Sequence, residues 1–168
     1  DHRVDCYGYR LQEPDGRRMI PEKLSALGIE GPAVGQLVRK GSIEANGRVV
    51  PIEEVSEHKK GQVFALVMDT RPCAGAERLA QGADLLVCES TYLSTEAQEA
   101  HDHYHMTAAQ AAALAQKAGV RKLVLTHFSQ RYGPAEPFLR EARPLFEPVV
   151  AAKDLMQVSV PARTIESE

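Results

Sequence analysis

The sequence predicts an α/β layered domain, and two observations support that prediction. Three short apolar runs have the length and composition of buried strands and lie at residues 62–68, 84–88 and 121–126. A segment of helical character follows each run along the chain. Regular alternation of buried strands and helices is typical of a sheet that is covered by helices.

Ahead of these runs, the chain begins with a strand and then leaves the core. Residues 4–11 alternate roughly between apolar and polar side chains and are followed by the turn signal Pro14-Asp15-Gly16. Short helices are predicted over 20–27 and 33–40, and each is followed by a glycine. Asn46-Gly47 predicts a tight hairpin. With few large apolar residues, the stretch at about 17–50 is interpreted as an arm inserted into the domain.

The remaining elements follow the core strands in order. A helix is predicted over 76–81, after the first run. Thr107 is placed to cap a helix that ends at Ala118, and Gln110 completes the pattern of a capping box. A last helix is predicted over 136–146, with short strands near Val149 and Val158.

Composition limits the classes of protein to which the chain can belong. Its 168 residues, net charge of −3 and 43% hydrophobic content fit one soluble domain or a large piece of one. No apolar run is long enough to span a bilayer, and no signal peptide is evident, so the cytoplasm is the expected location. Cys6, Cys73 and Cys88 are widely spaced, which favours reduced thiols over a disulfide framework or a cysteine zinc site.

Polar residues stand where the three core strands end. Asp69, Glu89 and His127 each come directly after or at the end of an apolar run. The carboxyl ends of neighbouring parallel strands gather such residues into one site. A carboxylate and an imidazole held there suit a Zn²⁺ ion. The residues alone leave two other interpretations open, a turn-forming aspartate and a hydrogen-bonded core histidine.

The motifs of the chain, taken in order, resemble those of the ribonuclease Z family of the metallo-β-lactamase superfamily. The resemblance covers nearly the whole chain with family-like spacing. It runs through Asp1-His2-Arg3-Val4, Gly8-Tyr9-Arg10, Gly31-Pro32, Met68-Asp69-Thr70-Arg71, Cys88-Glu89-Ser90-Thr91, Tyr104-His105-Met106-Thr107, Gln110-Ala111-Ala112 and residues 125–132.

The resemblance implies both a fold and an activity. Residues 1–168 would form the C-terminal part of a single metallo-β-lactamase domain, half of its αββα sandwich, with a protruding exosite arm. The complete enzyme would be a zinc-dependent endoribonuclease, with two zinc ions, that removes the 3′ trailer from precursor transfer RNA. A cytoplasmic homodimer without a membrane partner is the expected form.

Individual roles carry over from the family residue by residue. His2 matches a ligand of the first zinc, Asp69 matches the aspartate that bridges both, and His127 matches a ligand of the second. His105 matches a non-ligand histidine that protonates the leaving group or stabilises the phosphate. Glu89 matches a glutamate that supports the catalytic site.

The chain departs from the family pattern in two ways. Met68, Ser90 and Met106 replace the usual Gly, Ala and Ser beside the functional side chains. More importantly, the family's His-x-His-x-Asp-His segment, which supplies most zinc ligands, is absent. His58, His101 and His103 are instead expected in solvated loops. Because the first residue is not Met, an upstream segment is expected to be missing, and the chain alone should bind zinc poorly and cleave little.

The arm is the second functional element that the resemblance implies. It corresponds to the exosite with which the family grips transfer RNA, and its basic side chains would contact phosphates. The predicted RNA-binding residues are Gly31, Pro32, Arg17, Arg18, Lys23, Arg39 and Lys40. From its charge alone, this stretch is better explained as an ordinary solvated helical hairpin, and only the resemblance favours an exosite.

Two alternatives to the RNA-processing enzyme remain. One is a phosphodiesterase of the same fold that acts on small molecules, for which the arm at about 17–50 would have no use. The other is a non-catalytic fragment that binds RNA or a partner, which the missing ligand segment favours.

Overall fold

A computed structural model describes residues 1–163 of the chain. Strands and helices are interspersed along it, with 3₁₀ turns at Ile52–Val55 and Ser94–Glu96. In chain order the elements are β1 (Tyr9–Gln12), β2 (Gly16–Met19), α1 (Pro21–Ala26), α2 (Pro32–Lys40), β3 (Ser42–Ala45), β4 (Arg48–Pro51), β5 (Ser56–Lys59), β6 (Val63–Val67), α3 (Ala74–Ala80), β7 (Leu85–Glu89), α4 (Ala97–Asp102), α5 (Ala108–Lys117), β8 (Leu123–Thr126), α6 (Glu136–Ala142) and β9 (Val149–Ala151).

The described residues fall into two compact units. The first comprises residues 1–13 and 62–162, and the second comprises residues 14–61 together with Arg163. The first unit contains the predicted core strands. It is built on a five-stranded sheet in the order β1-β6-β7-β8-β9.

The sheet is parallel from β6 to β9, and β1 runs antiparallel to β6 at its edge. Leu66 pairs with Val87, which pairs in turn with Val124, so the three central strands are aligned. Parallel neighbours require crossover connections, and helices supply them here. The predicted α/β class is therefore confirmed.

Side-chain alternation divides the sheet into a covered face and an apolar, partly exposed face. On β6, Val63, Ala65 and Val67 are buried, whereas Phe64 and Leu66 between them are only partly so. The covered face packs against α3, α5 and α6. The largest buried side chains of the core between them include Leu86, Leu123, Leu125, Val67, Met106 and Phe138.

The other face carries apolar side chains from β1 as well. Tyr9 and Leu11 pair with Leu66 and Phe64, which places all four on one face. Tyr9 is 58% exposed and Leu11 is 64% exposed. An apolar sheet face of this kind is what half of a two-layered sandwich is expected to present.

The predicted capping box is present at the start of α5. Thr107 Oγ1 accepts a hydrogen bond from the Gln110 N–H at 3.2 Å, and the Gln110 side chain accepts one from the Thr107 N–H at 2.9 Å. Five alanine and leucine residues of this helix are buried: Ala108, Ala111, Ala112, Leu114 and Ala115. The small side chains let α5 lie close to β7 and β8.

The second unit has a small core of its own. The Asn46-Gly47 turn joins β3 to β4 as predicted, and both turn residues have positive φ, 52° and 74°. A second strand pair joins β2 to β5. The buried apolar residues of this unit are Leu24, Ile29, Leu37, Val50, Ile52 and Val55. Ile52 and Val55 of this core lie beyond position 50, and the compact unit, residues 14–61, extends past the predicted arm at both ends.

Several detailed predictions are wrong. No strand lies near Val158, because residues 152–163 form no element in the described part of the chain. The first strand is limited to β1, four residues long. His58 lies on β5 and His101 in α4 rather than in loops, although both side chains are exposed as predicted. By contrast, the prediction for the three cysteines agrees with the structure, in which they are free thiols.

Candidate metal and catalytic site

Three neighbouring strands deliver polar side chains to one edge of the sheet. Asp69 follows β6, Glu89 is the last residue of β7, and His127 follows β8. His105 reaches the same point from the loop between α4 and α5. One ligand atom from each of these four residues lies within 4.8 Å of the others. The structure therefore brings together four of the five residues that the sequence assigned to catalysis or metal binding.

The backbone is strained where two of these side chains leave their strands. Asp69 has a φ of 47° and His127 a φ of 59°, in the left-handed region that residues with a Cβ rarely adopt. Tyr104, which precedes His105, has a φ of 65°. Such conformations persist where the surrounding structure enforces them, and they cluster at functional sites.

Glu89 is the centre of a saturated hydrogen-bond network. Its carboxylate is fully buried. One oxygen lies 2.6 Å from the Thr70 N–H and 3.0 Å from His105 Nδ1. The other accepts from the Thr91 hydroxyl at 2.8 Å and from the Met106 N–H at 3.0 Å. A carboxylate accepts about four hydrogen bonds, so Glu89 has no lone pair left for a metal ion.

The contact with Glu89 orients the His105 imidazole. Because the carboxylate is an acceptor, His105 Nδ1 carries a hydrogen and donates it to Glu89. In the neutral ring, Nε2 is then the nitrogen without hydrogen. The His105 side chain is 17% exposed. Its ring centroid lies 5.5 Å from that of His2 and 5.3 Å from that of His127. His105 thus stands between the two histidines that are predicted to bind zinc.

His127 and Asp69 face each other with atoms that both suit a cation. His127 Nε2 lies 3.1 Å from Asp69 Oδ1. Both side chains are partly exposed, at 38% and 44%, so an ion could reach them from solvent. An imidazole nitrogen and a carboxylate oxygen are ligands that Zn²⁺ accepts.

His2 lies beside this cluster. Its Nδ1 is buried and has no hydrogen-bond partner among residues 1–163. A buried polar atom left unpaired costs about 1–3 kcal/mol, so such an atom in a native protein calls for a partner. A metal ion would supply one. His2, Asp69 and His127 each present a ligand atom that could accept a metal ion, although only Asp69 and His127 belong to the four-residue cluster.

Two arginines flank the cluster over one aromatic ring. The Arg71 guanidinium lies 4.5 Å from the centroid of Tyr104, and that of Arg3 lies 5.6 Å from it. The Tyr104 ring in turn contacts His2 edge-on, with 6.1 Å between centroids. Arg71 also forms an ion pair with Asp1 Oδ2 at 2.7 Å, so part of the positive charge held beside the cluster is balanced.

The other two histidines of this region stay outside the cluster. His101 is 62% exposed, with Nε2 3.3 Å from an Arg71 nitrogen. His103 Nδ1 lies 2.9 Å from the Tyr92 hydroxyl. The residue that the sequence reasoning missed is Thr91, whose hydroxyl lies 2.8 Å from both Glu89 and His127. The sequence shows that Thr91 lies two residues after Glu89. Its contact with His127 depends on the register of the strands, which the sequence does not show.

The predicted RNA-binding residues all lie in the second unit. Gly31 and Pro32 begin α2, and Gly31 has a φ of 54°. Arg17 and Arg18 of β2 form ion pairs with Glu53 and Glu57. Within residues 1–163, no ion pair forms at the remaining three predicted basic residues, Lys23, Arg39 and Lys40.

Comparison with known proteins identifies the class. Residues 45–128 match the Beta-lactamase superfamily domain, and the chain belongs to that superfamily. The metallo-beta-lactamase fold protein YhfI from Bacillus subtilis shares the fold, with a TM-score of 0.50 at 23% identity over 59% of this chain and 42% of that one. No helix in the described part of the chain is long and apolar enough to cross a membrane.

Within this class, the chain is similar to proteins named Ribonuclease Z. That of Salinispora arenicola is 54% identical over 99% of this chain and 54% of its own length. That of Streptomyces avermitilis is 55% identical over 96% of this chain and 53% of its own length. The chain thus spans about half the length of these curated relatives. The resemblance seen in the motifs is confirmed.

Proposed function

We propose that the chain is the C-terminal part of a zinc-dependent endoribonuclease that removes the 3′ trailer from precursor transfer RNA. The convergence of Asp69, Glu89, His105 and His127 within 4.8 Å at the ends of three strands carries this proposal. The similarity to ribonucleases Z over nearly the whole chain supports it.

His2, Asp69 and His127 are the residues that would hold zinc. Asp69 would be the ligand shared by the two ions, because a carboxylate offers two oxygens. Two zinc ions, when bound, supply Lewis acidity that activates water at neutral pH and offsets the charge that builds on the phosphate. Glu89, whose lone pairs are all occupied, is assigned to support rather than to ligation.

His105 would serve as the general acid. In-line attack by water breaks the phosphorus–oxygen bond to the transfer RNA and leaves a 3′ hydroxyl there and a 5′ phosphate on the trailer. The departing oxygen needs a proton, which a protonated His105 can give from Nε2 while Nδ1–H remains bonded to Glu89. The hydrogen bond to the Glu89 carboxylate fixes the orientation of the ring.

The positive charges beside the cluster favour a phosphate ester as substrate. Arg71 and Arg3, stacked on Tyr104, are placed to contact phosphate oxygens next to the cleaved bond. We assign the second unit, residues 14–61, to binding transfer RNA through Gly31, Pro32 and its basic residues. A phosphodiesterase for small substrates would have no use for that unit.

The small number of available ligands predicts that this chain is inactive by itself. A catalytic zinc is usually held by about three protein ligands. His2, Asp69 and His127 are too few for two ions, so the isolated chain is expected to be inactive until the rest of the protein is supplied. From the resemblance to ribonucleases Z we also propose that the full-length protein is a cytoplasmic homodimer. Analytical sedimentation would test the dimer.

The test is cleavage of a precursor transfer RNA with a 3′ trailer. A full-length protein that contains this chain should release the trailer in the presence of zinc, and the 168-residue chain alone should not. Asp69→Ala should abolish cleavage, whereas Asp154→Ala, a change at an exposed aspartate, should leave it intact. Full activity of Asp69→Ala, or no trailer release by the native protein, would refute the proposed function.

A further inference from the structure

Thr91 is a buried residue of the site to which the proposed mechanism gives no role. It is 7% exposed. Its hydroxyl oxygen lies 2.8 Å from Glu89 Oε2 and 2.8 Å from His127 Nδ1. A single hydroxyl therefore joins the buried carboxylate to a proposed zinc ligand.

The direction of both hydrogen bonds follows from the chemistry of Glu89. Each carboxylate oxygen already accepts a backbone N–H, from Thr70 or from Met106, so Glu89 acts as an acceptor. Thr91 has one hydroxyl hydrogen and gives it to Glu89. The Thr91 oxygen can then only accept from His127, which requires the hydrogen of that imidazole to be on Nδ1.

We propose that Thr91 is a positioning residue that holds His127 in its Nδ1–H tautomer. Nε2, the nitrogen that faces Asp69, is thereby kept without a hydrogen. The tautomer matters because only a nitrogen without hydrogen can bind a metal ion. The inference rests on the proposed metal site, in which His127 Nε2 and Asp69 are ligands.

Asp69 makes this control necessary. Its Oδ1 lies 3.1 Å from His127 Nε2 and would itself accept a hydrogen from that nitrogen. If no group accepted the hydrogen of Nδ1, the neutral imidazole would place it on Nε2 and donate it to Asp69. The lone pair that a metal ion needs would then be occupied. Thr91 supplies the competing acceptor on the opposite side of the ring.

The fold holds Thr91 in place for this task. Glu89 pairs with Thr126 across β7 and β8, so the segments that follow these strands run side by side. The Ser129 N–H donates to the Thr91 carbonyl at 3.1 Å and joins the two segments again beyond His127. The distance from Thr91 to the imidazole is therefore set by strand register.

Three variants of the full-length protein separate this role from simple packing. Thr91→Val keeps the shape and removes the hydroxyl, whereas Thr91→Ser keeps the hydroxyl. Ser90→Ala is the matched control, because it removes a neighbouring hydroxyl that donates to the Thr126 carbonyl at 3.0 Å. In the described part of the chain, that hydroxyl contacts neither Glu89 nor His127.

The first measurement is the tautomer of His127 in the metal-free protein. ¹⁵N spectra of histidine-labelled protein, recorded at alkaline pH where imidazoles are neutral, distinguish Nδ1–H from Nε2–H. The native protein, Thr91→Ser and Ser90→Ala should show Nδ1–H at His127. Thr91→Val should show Nε2–H.

The second measurement is zinc affinity by competition with a chelator. Loss of a partner that orients a ligating histidine weakens metal binding about 10–100-fold, and we expect that loss in Thr91→Val only. A hydrogen on Nε2 of His127 in the native protein would overturn the inference. An unchanged His127 tautomer and zinc affinity in Thr91→Val would overturn it as well, as would a change in Ser90→Ala equal to that in Thr91→Val. If Thr91→Val fails to fold, the native and Thr91→Ser spectra still decide. Native Nδ1–H without zinc binding would support the role of Thr91 and refute the proposed metal site.

Discussion

Replacing Glu89 by Gln tests whether the buried carboxylate organises the site. The amide has nearly the same shape but one acceptor oxygen and one NH₂ group. Whichever way the amide is turned, its NH₂ faces a backbone N–H, that of Thr70 or that of Met106. That backbone N–H loses its acceptor. The second donor to the same carboxylate oxygen, His105 beside Thr70 or Thr91 beside Met106, loses its acceptor as well.

The size of the effect follows from these losses. Two hydrogen bonds to a charged group contribute about 1.5–3 kcal/mol each, and removing a buried charge offsets part of their loss. We therefore expect the free energy of unfolding to fall by about 3 kcal/mol, a large share of the 5–15 kcal/mol typical of a domain. Urea denaturation of the full-length protein, followed by circular dichroism, measures the change.

An exposed glutamate provides the control. Glu77 forms an ion pair with Lys117 at 2.7 Å, and both side chains are about half exposed or more. Glu77→Gln should change the free energy of unfolding by less than about 1 kcal/mol, as is usual for surface ion pairs. A loss below about 1 kcal/mol in Glu89→Gln would show that the carboxylate is not the centre of the network.

Three further predictions concern metal, substrate and pH. Asp69→Ala should lose both activity and most bound zinc, whereas His105→Ala should lose turnover and keep zinc; equal metal loss in both contradicts the separate roles. Residues 14–61 can be replaced by a short linker, because the Glu13 N–H donates a hydrogen bond to the Gln62 carbonyl at 2.9 Å and the two ends are therefore adjacent. The deletion should weaken transfer RNA binding but leave hydrolysis of a small phosphodiester intact. Loss of both activities would count against an RNA-binding unit. The hydrogen bond from Tyr132 is the main cause that lowers the pKa of Glu96, so Tyr132→Phe should raise this pKa in an NMR titration. A lowered pKa gives stability that is lost as pH falls through it, so the variant should lose less stability on acidification than the native protein; an unmoved Glu96 titration refutes this assignment.

The parts of the fold that could be predicted are those whose local chemistry is sufficient. The buried strands β6, β7 and β8 are apolar at nearly every position, and the box at Thr107 fixes the start of α5. By contrast, β2 and β5 are polar strands that pair across about forty residues, for which no periodic pattern gives a signal. The strand expected near Val158 is absent because a short apolar alternation forms a strand only when it pairs with a neighbour, and residues 152–163 pair with no strand of the sheet.

The site divides in the same way. Asp69, Glu89 and His127 could be predicted because strand ends bring polar residues together. The motif resemblance added His2 and His105. The role of Thr91 could not be predicted, because it depends on the pairing of Glu89 with Thr126 and on the rotamer of His127.

The network around Glu89 couples the formation of the site to the formation of the core. Its donors come from the loop after β6, the segment after β7 and the end of the loop into α5. A buried carboxylate is tolerable only when all these donors are in place, because an incompletely bonded charge is strongly destabilising. The oriented imidazoles therefore exist only when the strands and α5 have assembled. Bound zinc would stabilise the assembled state further, by about 2.7 kcal/mol at 100 times its dissociation constant.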